Sequence, residues 1–432
     1  MKLRVLLVNP WIYDFAAYNL WASPLGLLKV AEHLSCFETD LRFIDCLDSF
    51  SPGQYGAGRF RAERVEKPRV VERVPLHFRR YGISPGEFAT RLREALPVDI
   101  VCVTSLMTYW YPGVQEAIEI VRSHAGAVPV ILGGIYATLA HDHAVRHTGA
   151  DLVYRGWPRD GLGAALGTFG FRLRKKDGGR PYYRLGLGET RHFAPLLTSR
   201  GCPYRCPYCA SGLLSSSVEL FETGQTLREI EDLAMEGVRD FAFYDDALLT
   251  EADRRFKPLL RAIVDKGLGL RFHTPNGLHA RFLDEEVAGL MRDGGFRTIR
   301  LSLETVDPAR QGSSGGKVTN REIETAVRNL MHQGFTKKEI GVYLMYGLPG
   351  QDLDEVREGI RFLGRLGVRI HLTEFSPVRG TDYWYSLVSQ GTISDDVDPL
   401  VTNNSVYTFL FGGYDRQEIE SLKLAVKEHN AA

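Results

Sequence analysis

Six apolar runs between residues 194 and 377, spaced by five stretches of helical periodicity, leave the second half of this chain few ways to fold. The runs lie at 194–197, 240–244, 269–274, 298–304, 339–345 and 369–377, with helices expected at 225–237, 251–266, 284–294, 320–333 and 353–366. Strands that alternate with helices pair in parallel, and six in succession curl into a partial (β/α)6 barrel, open on one side. The first half repeats the alternation on a smaller scale, with strands at 3–8, 41–45, 99–104 and 129–132 and helices at 24–34, 85–96 and 112–124. That pattern predicts a doubly wound, Rossmann-like α/β domain, whose ligands bind beyond the carboxyl ends of the strands. The expected division is 1–166 for this domain, with a Gly- and charge-rich insertion at about 48–80 read as solvated surface. A Gly-rich basic linker follows at 167–191, then the barrel at 192–390 and a short cap segment at 391–432.

Directly after the first barrel strand comes Thr198-Ser199-Arg200-Gly201-Cys202-Pro203-Tyr204-Arg205-Cys206-Pro207-Tyr208-Cys209. Thiolates are soft ligands suited to iron–sulfur clusters and zinc. The two prolines keep the loop out of a helix, so the three sulfurs can converge. Three ligands leave one iron of a four-iron cubane open to another molecule. A structural zinc knuckle would need a fourth Cys or His, and the nearest histidine, His192, lies on the other side of the strand.

Six cysteines in 432 residues, three of them in this loop, do not make a disulfide framework and point to a reducing cytoplasm. Cys36, Cys46 and Cys102 stand in apolar contexts and are expected in the core. The formal charge is zero, which gives no reason to expect nucleic acid. No apolar run reaches membrane length, and the amino-terminal one is too short for a signal peptide.

The cysteine motif resembles that of the radical S-adenosylmethionine (SAM) superfamily, and the resemblance covers roughly residues 192–390. It implies a [4Fe-4S] cluster on Cys202, Cys206 and Cys209, with SAM chelated to the open iron. It also implies SAM contacts for Tyr208, Tyr244, Asp245, Asp246, Ser302, Glu304, Lys317, Gly347 and Leu348. Pro377-Val378-Arg379-Gly380-Thr381 resembles the ending found after the sixth strand in cobalamin-linked members.

The first half resembles the cobalamin-binding domain that precedes many such barrels. This implies cobalamin contacts for Pro10, Thr104, Ser105, Leu106, Met107, Thr108, Tyr109, Gly133, Gly134 and Tyr136. One departure stands out: Asp14 is followed by Phe15, Ala16 and Ala17, with no histidine to ligate cobalt. Gly156-Trp157-Pro158 also replaces the acidic ending of many relatives.

Together the resemblances imply a cobalamin-dependent radical SAM methyltransferase that methylates an unactivated carbon, using a 5′-deoxyadenosyl radical and methylcobalamin. The alternatives are a cobalamin-binding radical SAM enzyme of non-methylating cyclisation or rearrangement, and a non-catalytic corrinoid- or cluster-binding sensor. A methylthiotransferase would bring its own amino-terminal cysteines and a β-barrel tail. The expected partners are a small-molecule or peptide substrate and an electron donor of the flavodoxin or ferredoxin class. His273, Asn276, Tyr343, Tyr346 and His371 are the residues expected to face the substrate.

Overall fold

The computed structural model describes residues 2–187 and 192–432. It divides into two compact units, Met1–Arg191 with Asp398–Val401, and His192–Val397 with Thr402–Ala432.

In the first unit, β1 (Leu3–Asn9), β2 (Thr39–Asp45), β3 (Ile100–Val103), β4 (Val130–Leu132) and β5 (Leu152–Val153) form one parallel sheet in the order 5-4-3-1-2. Continuous apolar runs such as Val5–Val8 and Ile100–Val103 are what a sheet covered on both faces requires. One face packs Val5, Leu7, Ile100, Cys102 and Ile131 against Leu27, Ala31 and Leu34 of α1 (Leu25–Leu34). Each such side chain contributes about 1.5–3 kcal/mol of burial. Helix α2 (Pro85–Ala95) starts at a reciprocal cap: the Glu87 amide donates to Ser84 Oγ at 3.2 Å, and the Ser84 amide to Glu87 Oε2 at 2.9 Å. Helix α3 (Tyr111–Ala125) covers the sheet before β4. The chain reverses direction across the sheet between β1 and β3, which makes their carboxyl ends the natural ligand crevice.

Two expectations for this unit are corrected. The 48–80 insertion is not a solvated arm. Arg79–Tyr81 pairs with Ile12–Asp14 on one side and with Ala62–Arg64 on the other in a small antiparallel sheet. Val71, Val74 and Phe78 are buried, with the Phe78 ring 5.2 Å from that of Phe15. Nor do residues 167–187 behave as a linker: Phe171 and Leu173 pack on the apolar core, and the Glu38 amide donates to the Arg174 carbonyl at 2.8 Å. The end of the expected linker, 188–191, lies outside the described residues. Cys46 and Cys102 are buried as expected, whereas Cys36 is exposed.

In the second unit, β6 (Ala194–Leu196), β7 (Asp240–Phe243), β8 (Arg271–His273), β9 (Phe296–Glu304), β10 (Ile340–Tyr346) and β11 (Arg369–Glu374) are all parallel and follow one another in sequence order. The helices between them are α4 (Thr223–Met235), α5 (Phe256–Lys266), α6 (Glu285–Asp293), α7 (Asn320–His332) and α8 (Leu353–Leu366). This is the expected partial (β/α)6 barrel. Its outer sheet face is apolar, with Phe241, Phe243, Phe256, Phe272 and Phe296 stacked at centroid distances of 5.4–6.1 Å.

Helix α5 begins five residues later than its periodicity suggests, because Arg255 leaves helical geometry (φ −131°, ψ −63°) and sends its guanidinium to Asp245. After the barrel come α9 (Asp382–Ser389), α10 (Asn404–Phe411) and α11 (Arg416–Ala431). Asn430 of α11 donates to the Ile370 carbonyl at 2.8 Å and accepts from the Ile370 amide at 2.9 Å. The free edge of β11 is thereby covered. No helix among the described residues is long and apolar enough to cross a membrane.

Candidate active site

The cysteine loop leaves β6 through a buried polar clasp. Asp245, at the end of β7, accepts from the Thr198 amide at 3.1 Å, Thr198 Oγ1 at 2.7 Å and Ser199 Oγ at 2.5 Å. Arg255 Nη1 pairs with Asp245 at 3.2 Å and also reaches Thr198 Oγ1. Asp245 is therefore committed to holding the loop's entry rather than pointing at a ligand. Its neighbour Asp246 turns outward, accepting from the Gly201 amide at 3.2 Å and from Ser211 Oγ at 3.0 Å. Surrounding protein atoms and the Asp245 charge push the Asp246 carboxyl up, although its edge reaches solvent.

Gly201 holds φ +83°, and a Cβ there would strike the Ser217 carbonyl, so the first bend of the loop requires glycine. The Cys209 amide donates to the Cys206 carbonyl at 3.0 Å, closing the second bend. The Tyr383 amide donates to the Pro207 carbonyl at 2.9 Å, and the Tyr208 ring lies 6.4 Å from that of Tyr383, which ties the loop to α9.

The three thiols are electrostatic neighbours. Burial raises Cys202 to about 11, and the charges of Cys209 and Cys206 add to the rise. Burial also raises Cys206, against the pull of the Lys317 ammonium. Among the described residues no three His, Cys, Asp or Glu side chains close around a single point as one metal ion requires. Three thiols on one short loop are the soft donors that an iron–sulfur cluster takes.

Strand parity sorts the other expected residues. Ile299, Leu301, Val342 and Leu344 are buried, and Leu344 meets Gly359 of α8, so this face looks outward to the helices. The opposite face lines the lumen. It carries Arg300 and Ser302 on β9, Gly341, Tyr343 and Met345 on β10, and Arg369, His371 and Thr373 on β11. Ser302 thus faces inward, while a register shift between Ser302 and Glu304 ends the alternation at the strand's tip. Glu304 sits at φ +67°, a strained left-handed conformation at the strand end, 3.4 Å from Lys317 Nζ. Lys317 and Glu304 both act on the Cys206 thiol, which places them beside the cysteine loop. Gly347 and Leu348 follow β10, with Leu348 buried beside Phe375 and Trp384 in a cluster that Tyr208 joins. Tyr244 follows β7, where its carbonyl accepts from Asn276 Nδ2 at 2.9 Å.

Of the residues expected to face substrate, Tyr343 and His371 line the lumen, with rings 5.6 Å apart. Asn276 spans two strand ends as a strut. Two are corrected. His273 is fully buried, its Nε2 3.1 Å from Asp240 Oδ1. Tyr346 lies on the helix-facing side, its hydroxyl bonded to Glu374, whose carboxylate is 2.6 Å from Lys423 of α11. Sequence reading passed over Arg255, Arg300 and Arg369. The period of two along β9 and β11 would have placed the last two inside.

In the first unit, the Ser105 hydroxyl donates to the Gly133 carbonyl at 2.7 Å, and Gly134 (φ +99°) lies so close to the Ser105 backbone that a side chain would collide. Leu106 and Met107, past the end of β3, are 47% and 41% exposed: two large apolar side chains presented to solvent. Thr104, Thr108 and Tyr109 flank them half-buried, and Pro10 is buried at the end of β1. Tyr136 is corrected: it is fully buried, its hydroxyl 2.7 Å from His143 Nδ1, and belongs to the core. Asp14 accepts from Trp110 Nε1 at 2.6 Å, so it braces the turn beyond β3.

Residues 196–363 match the family described as the Radical SAM superfamily. An uncharacterized methyltransferase of Pyrococcus horikoshii is 26% identical over 201 residues, 44% of this chain and 41% of that protein. A ribosomal protein uS12 methylthiotransferase, RimO, of Methylococcus capsulatus is 28% identical over 212 residues, 44% of this chain and 46% of that protein. The chain thus spans less than half the length of these relatives. Among solved structures, the radical S-adenosylmethionine methyltransferase TsrM from Kitasatospora setae, with cobalamin and a [4Fe-4S] cluster bound, aligns with a TM-score of 0.65. That alignment covers 90% of this chain and 78% of TsrM at 18% identity, so it is the fold that is shared. Cysteine loop, barrel and matched stretch coincide: residues 196–363, which hold the three cysteines and most of the barrel, carry a radical SAM domain.

Proposed function

We propose that the chain is a cobalamin-dependent radical SAM methyltransferase. The observation that carries this reading is the joining, in one chain, of a radical SAM domain to an order 5-4-3-1-2 parallel sheet with exposed Leu106 and Met107 beyond β3. The likeness to TsrM extends over both units. In such enzymes the cluster supplies the electron that cleaves SAM, and cobalamin carries the methyl group.

This chain's own residues then divide the work. Cys202, Cys206 and Cys209 hold the cluster, and Lys317 favours the thiolate of Cys206. By the resemblance, Asp246 and the backbone at Tyr244 would hold the SAM amino group, Lys317 its carboxylate, and Ser302 and Glu304 the methionine or ribose. Tyr208 and Gly347-Leu348 flank the adenine. Asp245 positions the loop. On the first unit, Leu106 and Met107 meet the corrin, and the Ser105–Gly133–Gly134 approach leaves room for the nucleotide tail. Asp14 is followed by Phe15, Ala16 and Ala17, so that loop would offer a bound cobalamin no imidazole. A reducing cytoplasm and a flavodoxin- or ferredoxin-class donor fit the cysteine usage.

The RimO match gives a methylthiotransferase as the second reading. Against it, the residues after the barrel fold as α9, α10 and α11 and not as the β-barrel such enzymes are expected to carry. Anaerobic reconstitution tests the proposal. The wild-type chain should bind on the order of four irons and retain stoichiometric cobalamin through gel filtration, and Cys206→Ala should lose the iron while keeping the cobalamin. Iron binding without any cobalamin retention would overturn the cobalamin assignment.

A further inference from the structure

We infer that the barrel lumen holds a site for an oxyanion of the substrate, a carboxylate or a phosphate-type group, built from Arg300, Arg369, His371 and Tyr343. The inference rests on the reading of residues 196–363 as a barrel that does its chemistry at the carboxyl ends of its strands.

Register supplies the geometry. Arg300 on β9 and Arg369 on β11 both stand opposite Gly341 on β10, one from each side. A Cβ at Gly341 would collide with the His371 imidazole and the Arg300 guanidinium, so glycine leaves the space into which these groups lean. The two guanidiniums sense one another, and burial together with this repulsion pushes Arg300 down. Tyr343 donates to the Pro275 carbonyl at 2.7 Å and lies against His371, fixing the ring.

The charges do not balance. Asp240 is held by Arg271 at 2.7 and 2.5 Å and by His273 at 3.1 Å, and Glu304 by Lys317 at 3.4 Å. Among the described residues Arg300 and Arg369 have no carboxylate partner. Arg300 Nη1 donates to the Ile299 carbonyl at 3.2 Å, and that neutral contact leaves its charge unmet. Arg369 Nε and His371 Nε2 are buried without a hydrogen-bond partner. Two half-buried, like-charged guanidiniums and an orphaned ring nitrogen on one wall cost stability unless something answers them, and an oxyanion answers all three. Guanidinium pairs bind planar and tetrahedral oxyanions through bidentate contacts. Arg300 lies four residues below Glu304 on β9, or roughly 13 Å at strand spacing. A substrate anchored there and reacting at the strand ends is therefore an elongated acid, not a compact one.

The test uses the reconstituted full chain and inorganic phosphate, with methylphosphonate and acetate as further probes and acetamide as the uncharged control, all at fixed ionic strength. Equilibrium dialysis should show saturable phosphate binding that weakens about tenfold or more in Arg300→Gln and in Arg369→Gln. The surface variant Arg261→Gln should bind as wild type does, and acetamide should not compete. His371→Gln, which keeps a neutral hydrogen-bonding group, covers the case in which an arginine variant fails to fold, and should bind phosphate more weakly with cluster content unchanged. Equal phosphate binding in wild type and all folded lumen variants, or no saturable binding by a protein with a full complement of iron, overturns the inference and leaves the radical SAM reading intact. Arginine-dependent phosphate binding in a protein that assembles no cluster would support the anion site and contradict the cluster assignment.

Discussion

Arg255 and Asp245 form an ion pair of 3.2 Å with side chains only 4% and 0% exposed, at the point where the chain enters the cysteine loop. Removing one partner leaves the other charged and buried. Asp245→Asn should destabilise the metal-free chain by about 3–5 kcal/mol in urea unfolding. Asp246→Asn, at the open edge of the same turn, should stay within about 0.5 kcal/mol of wild type while weakening SAM binding. Equal stability losses for the two would mean that both aspartates are structural.

Lys317 and Glu304 pull Cys206 in opposite directions, the ammonium lowering and the carboxylate raising the thiol. In metal-free protein at pH 8, Lys317→Gln should slow alkylation of Cys206 by about two- to tenfold, and Glu304→Gln should speed it. Peptide mapping by mass spectrometry reads the rate at that residue. An unchanged rate in both variants would place the pair away from the cysteine loop.

Burial and the two lumen arginines lower His371 to about 3. Above pH 6.5 its imidazole is neutral in folded and unfolded chains alike. As the pH falls below 6.5 the unfolded chain takes up a proton that the folded chain refuses. The stability tied to this group is therefore complete above pH 6.5 and is lost toward pH 3 by roughly 1.4 kcal/mol per pH unit. Unfolding of the metal-free protein between pH 6.5 and 5 should show a shallower decline in His371→Gln than in wild type. Identical slopes would mean that the ring is solvated.

Asn430 satisfies both backbone groups of Ile370 on the outer edge of β11. Asn430→Leu should leave a donor and an acceptor unmet, costing about 1–3 kcal/mol, and should increase aggregation through the exposed edge. Denaturation midpoints and light scattering check both effects.

The repeating strand–helix pattern made both sheets legible in the sequence, because strands buried on two faces must be apolar throughout and helices between parallel strands must be amphipathic. Helix α8 falls where its periodicity puts it. The cysteine loop was legible from spacing alone. Several site residues were not. Asp245 and Asp246 are adjacent and chemically identical, and only the position of Arg255, ten residues on, decides which one is consumed by the fold. Tyr343 and Tyr346 read alike until strand register turns one into the lumen and the other toward α11. Tyr136 looked available beside a diglycine, but His143, seven residues later, claims its hydroxyl. The 48–80 segment hid its order because its strands have only three residues, and Arg79–Tyr81 pairs with the distant Ile12–Asp14, a contact that leaves no local period.

The central claim is methyl transfer, and the most direct measurement is of SAM products. The reconstituted chain is incubated anaerobically with cobalamin, SAM and a low-potential reductant, and the products are quantified by mass spectrometry. The account predicts both 5′-deoxyadenosine and S-adenosylhomocysteine, with 5′-deoxyadenosine abolished in Cys206→Ala. Deoxyadenosine without S-adenosylhomocysteine, from protein with verified cluster and cobalamin, would contradict it and point to a non-methylating radical enzyme.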